Sequence, residues 1–196
     1  MTRVWIGGSP CAGKSTVAGL VAEALGLPLY SCDDAFDRHV AEGGGPTMRK
    51  VTTMPVGDRL SQPIEVQVAD VLRLGVEEFP MIVRDLPASV VVEGAALLPS
   101  LLAAAGVTHA EAVWIVPTDA FQRRHYGDRP WAHELLAGLP APDEAFDRWM
   151  RRDATFATRI AASARDLGYH VITIDGTTSP AETAAEVLRR HSPTRQ

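Results

Sequence analysis

Residues 3 to 25 read Arg3-Val4-Trp5-Ile6-Gly7-Gly8-Ser9-Pro10-Cys11-Ala12-Gly13-Lys14-Ser15-Thr16-Val17-Ala18-Gly19-Leu20-Val21-Ala22-Glu23-Ala24-Leu25. A short apolar run, Val4 to Ile6, stops at two glycines. From Lys14 onward apolar residues recur at helical spacing, with Val17, Leu20, Val21, Ala24 and Leu25 sharing a face. This is the pattern of a strand feeding a helix, and Gly26 stands where a left-handed cap would end it. The loop between them, Gly8 to Ser15, matches G-x-x-x-x-G-K-[ST]. Glycines let such a loop curl until successive backbone N–H groups face inward as an anion nest. The helix N-terminus adds partial positive charge. In that setting Lys14 reaches the β- and γ-phosphates of a nucleoside triphosphate, the Ser15 hydroxyl ligates Mg²⁺, and Thr16 supports the α-phosphate. Gly8, Ser9, Pro10, Cys11, Ala12, Gly13, Lys14, Ser15 and Thr16 are therefore the expected nucleotide-binding residues. A helix N-terminus can lower a thiol pKa, but the plainer reading of Cys11 is a small residue that fits the loop.

Outward from this loop, apolar runs and helical stretches alternate, which predicts a parallel sheet covered by helices. Strands are expected at 28–31, 89–92, 112–116 and 171–174, and helices at 34–41, 61–79, 97–105, 118–126, 143–167 and 180–190. Ile64, Val68, Val71, Leu72 and Val76 share one helical face. Phe146, Trp149, Phe156, Ile160 and Leu167 are core candidates on another helix. Gly43-Gly44-Gly45-Pro46 breaks regular structure, so residues 42–60, which carry Arg49, Lys50 and Arg59, read as a mobile substrate-covering segment or a plain surface loop. Residues 127–142 read as loop-rich.

With 196 residues and 46% hydrophobic content the chain supports one folded domain, 1–196. A net charge of −5 gives no electrostatic reason to expect nucleic acid or an anionic membrane as partner. Lys14 and Lys50 are the only lysines, which makes a chance lysine in the loop harder to invoke. No run approaches the roughly 18–20 apolar residues of a membrane span, and no targeting segment is visible. Cys11 and Cys32 are too few for a disulfide scaffold, and no Cys/His spacing suggests zinc. The expectation is a reduced, cytoplasmic protein, monomeric or homodimeric.

Three acids fall beyond strand ends, where open parallel sheets bind ligands. Asp33 and Asp34 follow the second strand and Glu93 the third. A carboxylate there can orient an acceptor hydroxyl and take its proton, a role open to either aspartate. Glu93 can serve the acceptor or the metal. One of the aspartates can instead cap a helix. A charge directly after Val90-Val91-Val92 is costly without a partner, and Lys14 or Mg²⁺ would supply one. After the fourth strand, Arg123, Arg124 and Arg129 flank His125 and Tyr126. Arginine forks stabilise a phosphoryl group in transfer, and their planes stack on a base. Arg129, just before Pro130-Trp131, is the expected lid residue. His39 and His125 read as surface residues rather than catalysts.

These residues together resemble the P-loop small-molecule and nucleotide kinases: shikimate kinase, gluconate kinase, chloramphenicol phosphotransferase and the nucleoside monophosphate kinases. The resemblance rests on Gly8 to Thr16, Ser31-Cys32-Asp33-Asp34, Val90 to Gly94, an Arg-bearing lid, and Ile172 to Gly176 with Ser179 as a base-side loop. Only the first motif is specific. The resemblance implies a three-layer α/β/α P-loop NTPase fold with a five-stranded parallel sheet ordered 2-3-1-4-5. It also implies a lid at about 123–142, ATP and Mg²⁺, and an acid after the second strand on the acceptor hydroxyl. That acid maps onto Asp33 and less surely onto Asp34. Lid arginines map onto Arg123 or Arg124 and Arg129. Glu93-Gly94 departs from the Asp common in relatives. Arg38, Arg49, Arg59 and Arg84 look scattered, so no arginine constellation marks a phosphate-bearing acceptor.

The leading function is transfer of the ATP γ-phosphoryl group to a small-molecule hydroxyl. A nucleoside monophosphate kinase is the nearest alternative. A GTPase is disfavoured because the chain has no Asn for an Asn-Lys-x-Asp guanine motif. A nucleotide-dependent regulatory protein without turnover is the remaining class.

Overall fold

β1 (Arg3–Gly8) runs through the middle of the molecule and ends in the phosphate-type loop, and α1 (Lys14–Leu25) carries the chain away from it. The computed structural model describes residues 2–191; Met1 and residues 192–196, part of the expected 1–196 domain, lie outside the described residues. In chain order there follow β2 (Leu29–Ser31), α2 (Cys32–Ala41), α3 (Pro46–Thr53), α4 (Val56–Ser61), α5 (Ile64–Asp85) and β3 (Val90–Glu93). Then come α6 (Pro99–Ala104), β4 (Ala112–Pro117), α7 (Asp119–Gly127), α8 (Pro130–Leu136), α9 (Pro142–Asp166), β5 (His170–Ile174) and α10 (Pro180–His191). The strands form one parallel sheet ordered β2-β3-β1-β4-β5, as expected. All C-terminal strand ends share one edge. The register sets Ile6 opposite Glu93 and Gly8 opposite Ile115, and Ser31 pairs with Glu93 from the other side.

Side chains alternate across each strand. Trp5, Val90, Val92, Trp114 and Val116 face α5, α6 and α9 and pack with Val68, Ile82, Leu102, Phe156 and Ile160. Val4, Ile6, Val91, Val113 and Ile115 face α1 and α10 and pack with Val17, Ala18, Val21, Ala184 and Val187. Each Val, Leu, Ile or Phe among them contributes about 1.5–3 kcal/mol of burial. A third cluster, Leu60, Tyr126, Ala132, Leu136, Ala145, Trp149 and Met150, joins α4, α7, α8 and α9. Among the described residues no helix is long and apolar enough to cross a membrane.

Several expectations need correction. Residues 42–60 hold two helices, α3 and α4, and 127–142 hold α8. Pro46 and Pro130, read as breakers, are helix starts that occupy first-turn positions, and Pro55 and Pro63 stand as the N-caps of α4 and α5. Proline's fixed φ and missing N–H suit the first turn. α5 continues past Phe79 to Asp85 and absorbs the exposed Pro80 within it. Leu167, Val76, Leu20 and Ala24 lie on exposed surface rather than in the core. In α1 the buried face is instead Val17, Ala18, Val21 and Ala22. His39 is fully buried, not a surface residue. The left-handed cap at Gly26 is present (φ 64°).

α3 is capped by a neighbouring helix. The Glu77 carboxylate of α5 accepts hydrogen bonds from the backbone N–H of Thr47 (3.0 Å) and Met48 (2.9 Å). Gly45 leaves room for this cap, because a Cβ there would meet the Glu77 carboxylate and push it aside. Burial alone would raise the Glu77 carboxyl, but bonds from Thr47 and Met48 outweigh it and hold it below the usual glutamate range. Glu77→Ala is therefore expected to cost about 1–2 kcal/mol in urea unfolding near pH 7. A lowered carboxyl contributes stability above its ordinary range and loses it as pH falls through the lowered value. The gap between wild type and variant should accordingly shrink in acid.

Candidate active site

The phosphate-type loop is built by close backbone approach. Gly8 has φ 143°, and a Cβ there would sit 1.9 Å from the Ile115 carbonyl oxygen of β4. The Ser9 N–H donates to that same carbonyl (3.3 Å). Cys11 takes φ 60° and Gly13 φ 73°, so the chain turns left-handed twice before α1 begins. For Cys11 that conformation is unusual and marks a shaped loop. Its thiol is raised, first by burial, so the plainer reading of Cys11 stands. Lys14 is buried, and its Nζ donates to the Ser9 carbonyl (2.9 Å), arching over the loop it belongs to.

Glu93 ends β3 between β1 and β2 and is 1% exposed. The Ser15 hydroxyl donates to its Oε1 (3.1 Å), while Oε2 is buried with no hydrogen-bond partner among the described residues. Burial pushes the carboxyl up; the Lys14 charge pulls it back, Asp33 pushes it up again, and the Ser15 and Ser31 hydroxyls favour the ionised form. Lys14 thus supplies the expected opposite charge, acting at longer range, and the Ser15 hydroxyl adds the direct hydrogen bond. Among the described residues no group of three or more His, Cys, Asp or Glu could hold a metal alone. One hydroxyl and one carboxylate with an unpartnered oxygen nevertheless fit Mg²⁺ arriving with phosphates, since that ion keeps waters and uses few protein ligands.

Pro10 to Thr16 line a cavity of about 340 Å³ together with Asp33, Ala95, Tyr126, Arg129 and Trp131. Asp33 and Asp34 both lie in the first turn of α2, but the cap is Ser31, whose Oγ accepts from the Asp34 N–H (3.3 Å). Neither aspartate is therefore spent on capping. Asp33 lines the cavity and Asp34 does not. Arg129 stands over the rings of Tyr126 (5.7 Å) and Trp131 (6.0 Å). A second cavity of about 480 Å³ adjoins the first through Cys11, Ala12, Gly13, Thr16 and Arg129, and reaches Phe121, His125 and the 176–179 loop. Ser179 and Glu182 cap α10 reciprocally: the Ser179 N–H donates to Glu182 (2.8 Å) and the Glu182 N–H to the Ser179 Oγ (3.2 Å). Arg124 lies over Phe121 (5.7 Å) at the edge of this second space. Arg123 lines neither cavity and is paired with Asp119 (3.3 Å) and Asp147 (2.6 Å).

The structure gathers residues that look scattered in sequence. Asp153, 2% exposed, receives Arg152 (2.6 Å), the Trp149 indole N–H (3.1 Å) and the Tyr126 hydroxyl (3.3 Å). The Arg59 guanidinium is held below its usual range first by burial and then by Arg152, with Asp153 opposing. Arg59 has no carboxylate within ion-pair distance among the described residues, and its Nε is buried without a partner. Among the described residues Asp153 is thus paired with Arg152 alone while Arg59 lies within electrostatic reach of both, and that acid is bonded to a cavity-lining tyrosine. Spacing along the chain does not reveal this group, because Arg59, Tyr126 and Asp153 stand on three separate helices, α4, α7 and α9. Tyr126 and Trp131 were noticed only as neighbours of arginines.

No family model matches the chain, and no curated protein matches it in sequence. Solved structures do. The fold is shared with the shikimate kinases. The shikimate kinase of Acinetobacter baumannii, solved in complex with shikimate, is 17% identical, with TM-score 0.51 over 96% of this chain and 92% of that one. The shikimate kinase of Bacteroides thetaiotaomicron is 15% identical, with TM-score 0.54 over 96% and 95%. At these identities the likeness establishes architecture, and the chemistry rests on the residues described above.

Glu93 yields a test that needs no substrate. A carboxyl raised by burial favours the fold below its ordinary range and loses that contribution as pH rises through the raised value. Glu93→Gln keeps an acceptor for Ser15 and removes the buried charge. In metal-free buffer at pH 7–8 the variant should melt about 2–4 °C above wild type, corresponding to about 1 kcal/mol. The difference should close as pH falls below the glutamate range. A lower melting temperature for the variant at pH 7–8 would mean the charge is already compensated.

Proposed function

We propose that the chain is a kinase that moves the γ-phosphoryl group of ATP, bound with Mg²⁺, onto a hydroxyl of a small anionic molecule. One observation carries the reading: the Asp33 carboxylate and the phosphate-type loop line the same cavity, with Arg129 beside them. The loop N–H groups and Lys14 hold the β- and γ-phosphates. Asp33 accepts a hydrogen bond from the acceptor hydroxyl and aligns its oxygen with the γ-phosphorus. It takes the proton as the new P–O bond forms and the bond to the β–γ bridging oxygen breaks, leaving ADP. Arg129 has no carboxylate within ion-pair distance among the described residues, and it stabilises charge on the transferring group. Ser15 with Glu93 would hold Mg²⁺, which would supply neutralisation of the phosphate charge. The second cavity, with Phe121, His125 and Arg124 near it, suits the base.

Arg59 does not itself line the cavity, but its uncompensated charge lies within reach of the Asp153 that binds the cavity-lining Tyr126, and we take it as favouring a negatively charged acceptor. Asp153 neutralises Arg152, which leaves about one uncompensated cation, a match for a monoanion such as a carboxylate. A nucleoside monophosphate brings a dianionic phosphate and a second base, which favours it less.

The test is a phosphotransfer assay with ATP and Mg²⁺ over a panel of hydroxy acids, sugars, nucleosides and antibiotics. Shikimate, present with the Acinetobacter baumannii enzyme, belongs in that panel. Lys14→Ala should abolish ATP binding or turnover; full activity would sink the phosphate-loop assignment. Asp33→Asn should lower transfer at least ~100-fold with ATP affinity nearly intact, whereas parallel loss of ATP binding would move Asp33 to the metal. Arg59→Gln should raise the acceptor KM roughly 10–100-fold and leave the ATP KM unchanged. An unchanged acceptor KM would remove the anion from the proposal.

A further inference from the structure

We propose that His39 is a positioning residue for this transfer: by bridging Glu78 and Asp85 of α5 it fixes α2, and so holds the Asp33 carboxylate on the wall of the phosphate cavity. The inference rests on the kinase reading above.

α2 lacks the apolar anchor that holds the other helices flanking the sheet. It follows a three-residue edge strand whose Leu29 is 44% exposed. Its buried residues are Cys32, Ala35 and His39, at i, i+3 and i+7 on one face. Two of these are small. The third is an imidazole with 0% exposure. Its Nδ1 lies 2.9 Å from Glu78 Oε1 and its Nε2 3.0 Å from Asp85 Oδ2, with the Tyr30 hydroxyl 3.3 Å from Nε2. Asp85 also receives Arg38 of α2 (2.6 Å) and Arg84 (2.7 Å), and both arginines reach Glu42. Directional bonds of this kind fix rotation and translation of a helix more narrowly than two small apolar contacts can.

The clamp is coupled to the site. Glu78 is raised by burial and lowered by His39, and the Asp33 charge raises it again, so Asp33 lies within electrostatic reach. Asp33 and His39 are six residues apart, about 9 Å along the helix. The N-terminal end of α2 is seated on β3: a Cβ on Gly94 would lie 2.5 Å from the Cys32 Cβ. Asp33 therefore sits between a fixed point at Cys32 and a fixed point at His39.

The test uses ATP hydrolysis at saturating MgATP, with water in the acceptor's place, and a fluorescent ATP analogue for affinity. His39→Ala should lower turnover roughly 10-fold, the scale of a sub-ångström misplacement, with nucleotide affinity within about 2-fold. His39→Gln retains one donor toward the carboxylates and should recover most of the loss. Because His39 acts through Asp33, the double variant His39→Ala/Asp33→Asn should be no slower than Asp33→Asn alone. Wild-type turnover in His39→Ala, an equal slowing in both backgrounds, or a matching loss of ATP affinity would overturn the inference. A slow Asp33→Asn beside an unimpaired His39→Ala sinks only the role of His39. An unimpaired Asp33→Asn sinks the kinase reading and the inference with it. If His39→Ala does not fold, Asp85→Asn weakens one half of the clamp and carries the same comparison.

Discussion

A hydroxyl on the first turn of α1 donates to a carboxylate at the end of the central strands, and the site depends on that contact. Ser15 and Glu93 are 78 residues apart, and their 3.1 Å bond joins the loop that cradles anions to the sheet that supports it. It forms only because β3 lies beside β1 in register, with Ile6 opposite Glu93. A second constraint acts on the other side of β1, where Gly8 presses against the β4 carbonyl of Ile115. The unpartnered Oε2 of Glu93 is what remains once the fold has used the rest of that residue. An orphaned charged atom at the base of an anion nest is costly unless a cation arrives with the ligand.

The two sides of the site are held by different physics. The nucleotide side rests on the sheet and on apolar packing of α1 and α10. The side proposed for the acceptor rests on polar ties between helices: His39 to Glu78 and Asp85, Glu77 to the α3 amides, and the buried Gln67 amide to the carbonyls of Leu60 (3.1 Å) and Gln62 (2.8 Å). Polar ties specify position without requiring a large core, which suits a region presenting arginines and an aspartate to a ligand. The third apolar cluster connects that side to α8 through Leu60, Leu136 and Trp149. The segment expected to cover substrate and the expected lid are therefore packed against one another.

Much of the architecture was legible along the chain. Strand-loop-helix at residues 3–25, the β-branched run before Glu93 and the alternation of runs are local patterns. The parallel sheet covered by helices follows from that alternation, and the sheet order from the resemblance alone. The misread segments share one cause. Pro46 and Pro130 read as breaks along the chain, yet a proline that opens a helix and one that ends a helix look alike in sequence. Which it is depends on what the following turn packs against. Glu77 capping α3 and Leu60 packing on Trp149 are contacts that no local window contains.

The sequence by itself determined the phosphate-type loop, because its chemistry needs adjacent residues at fixed spacing, and it marked Asp33 and Glu93, because strand ends are visible as the ends of apolar runs. Only the tertiary structure decided that Asp33 and not Asp34 lines the cavity and that Arg123 is turned toward Asp147 while Arg129 faces the loop. It alone brought Arg59, Arg152 and Asp153 together and buried His39 between two acids. Each of these outcomes is a contact across long stretches of chain. Such contacts are set by helix rotation and packing, which leave no trace in the spacing of the residues involved.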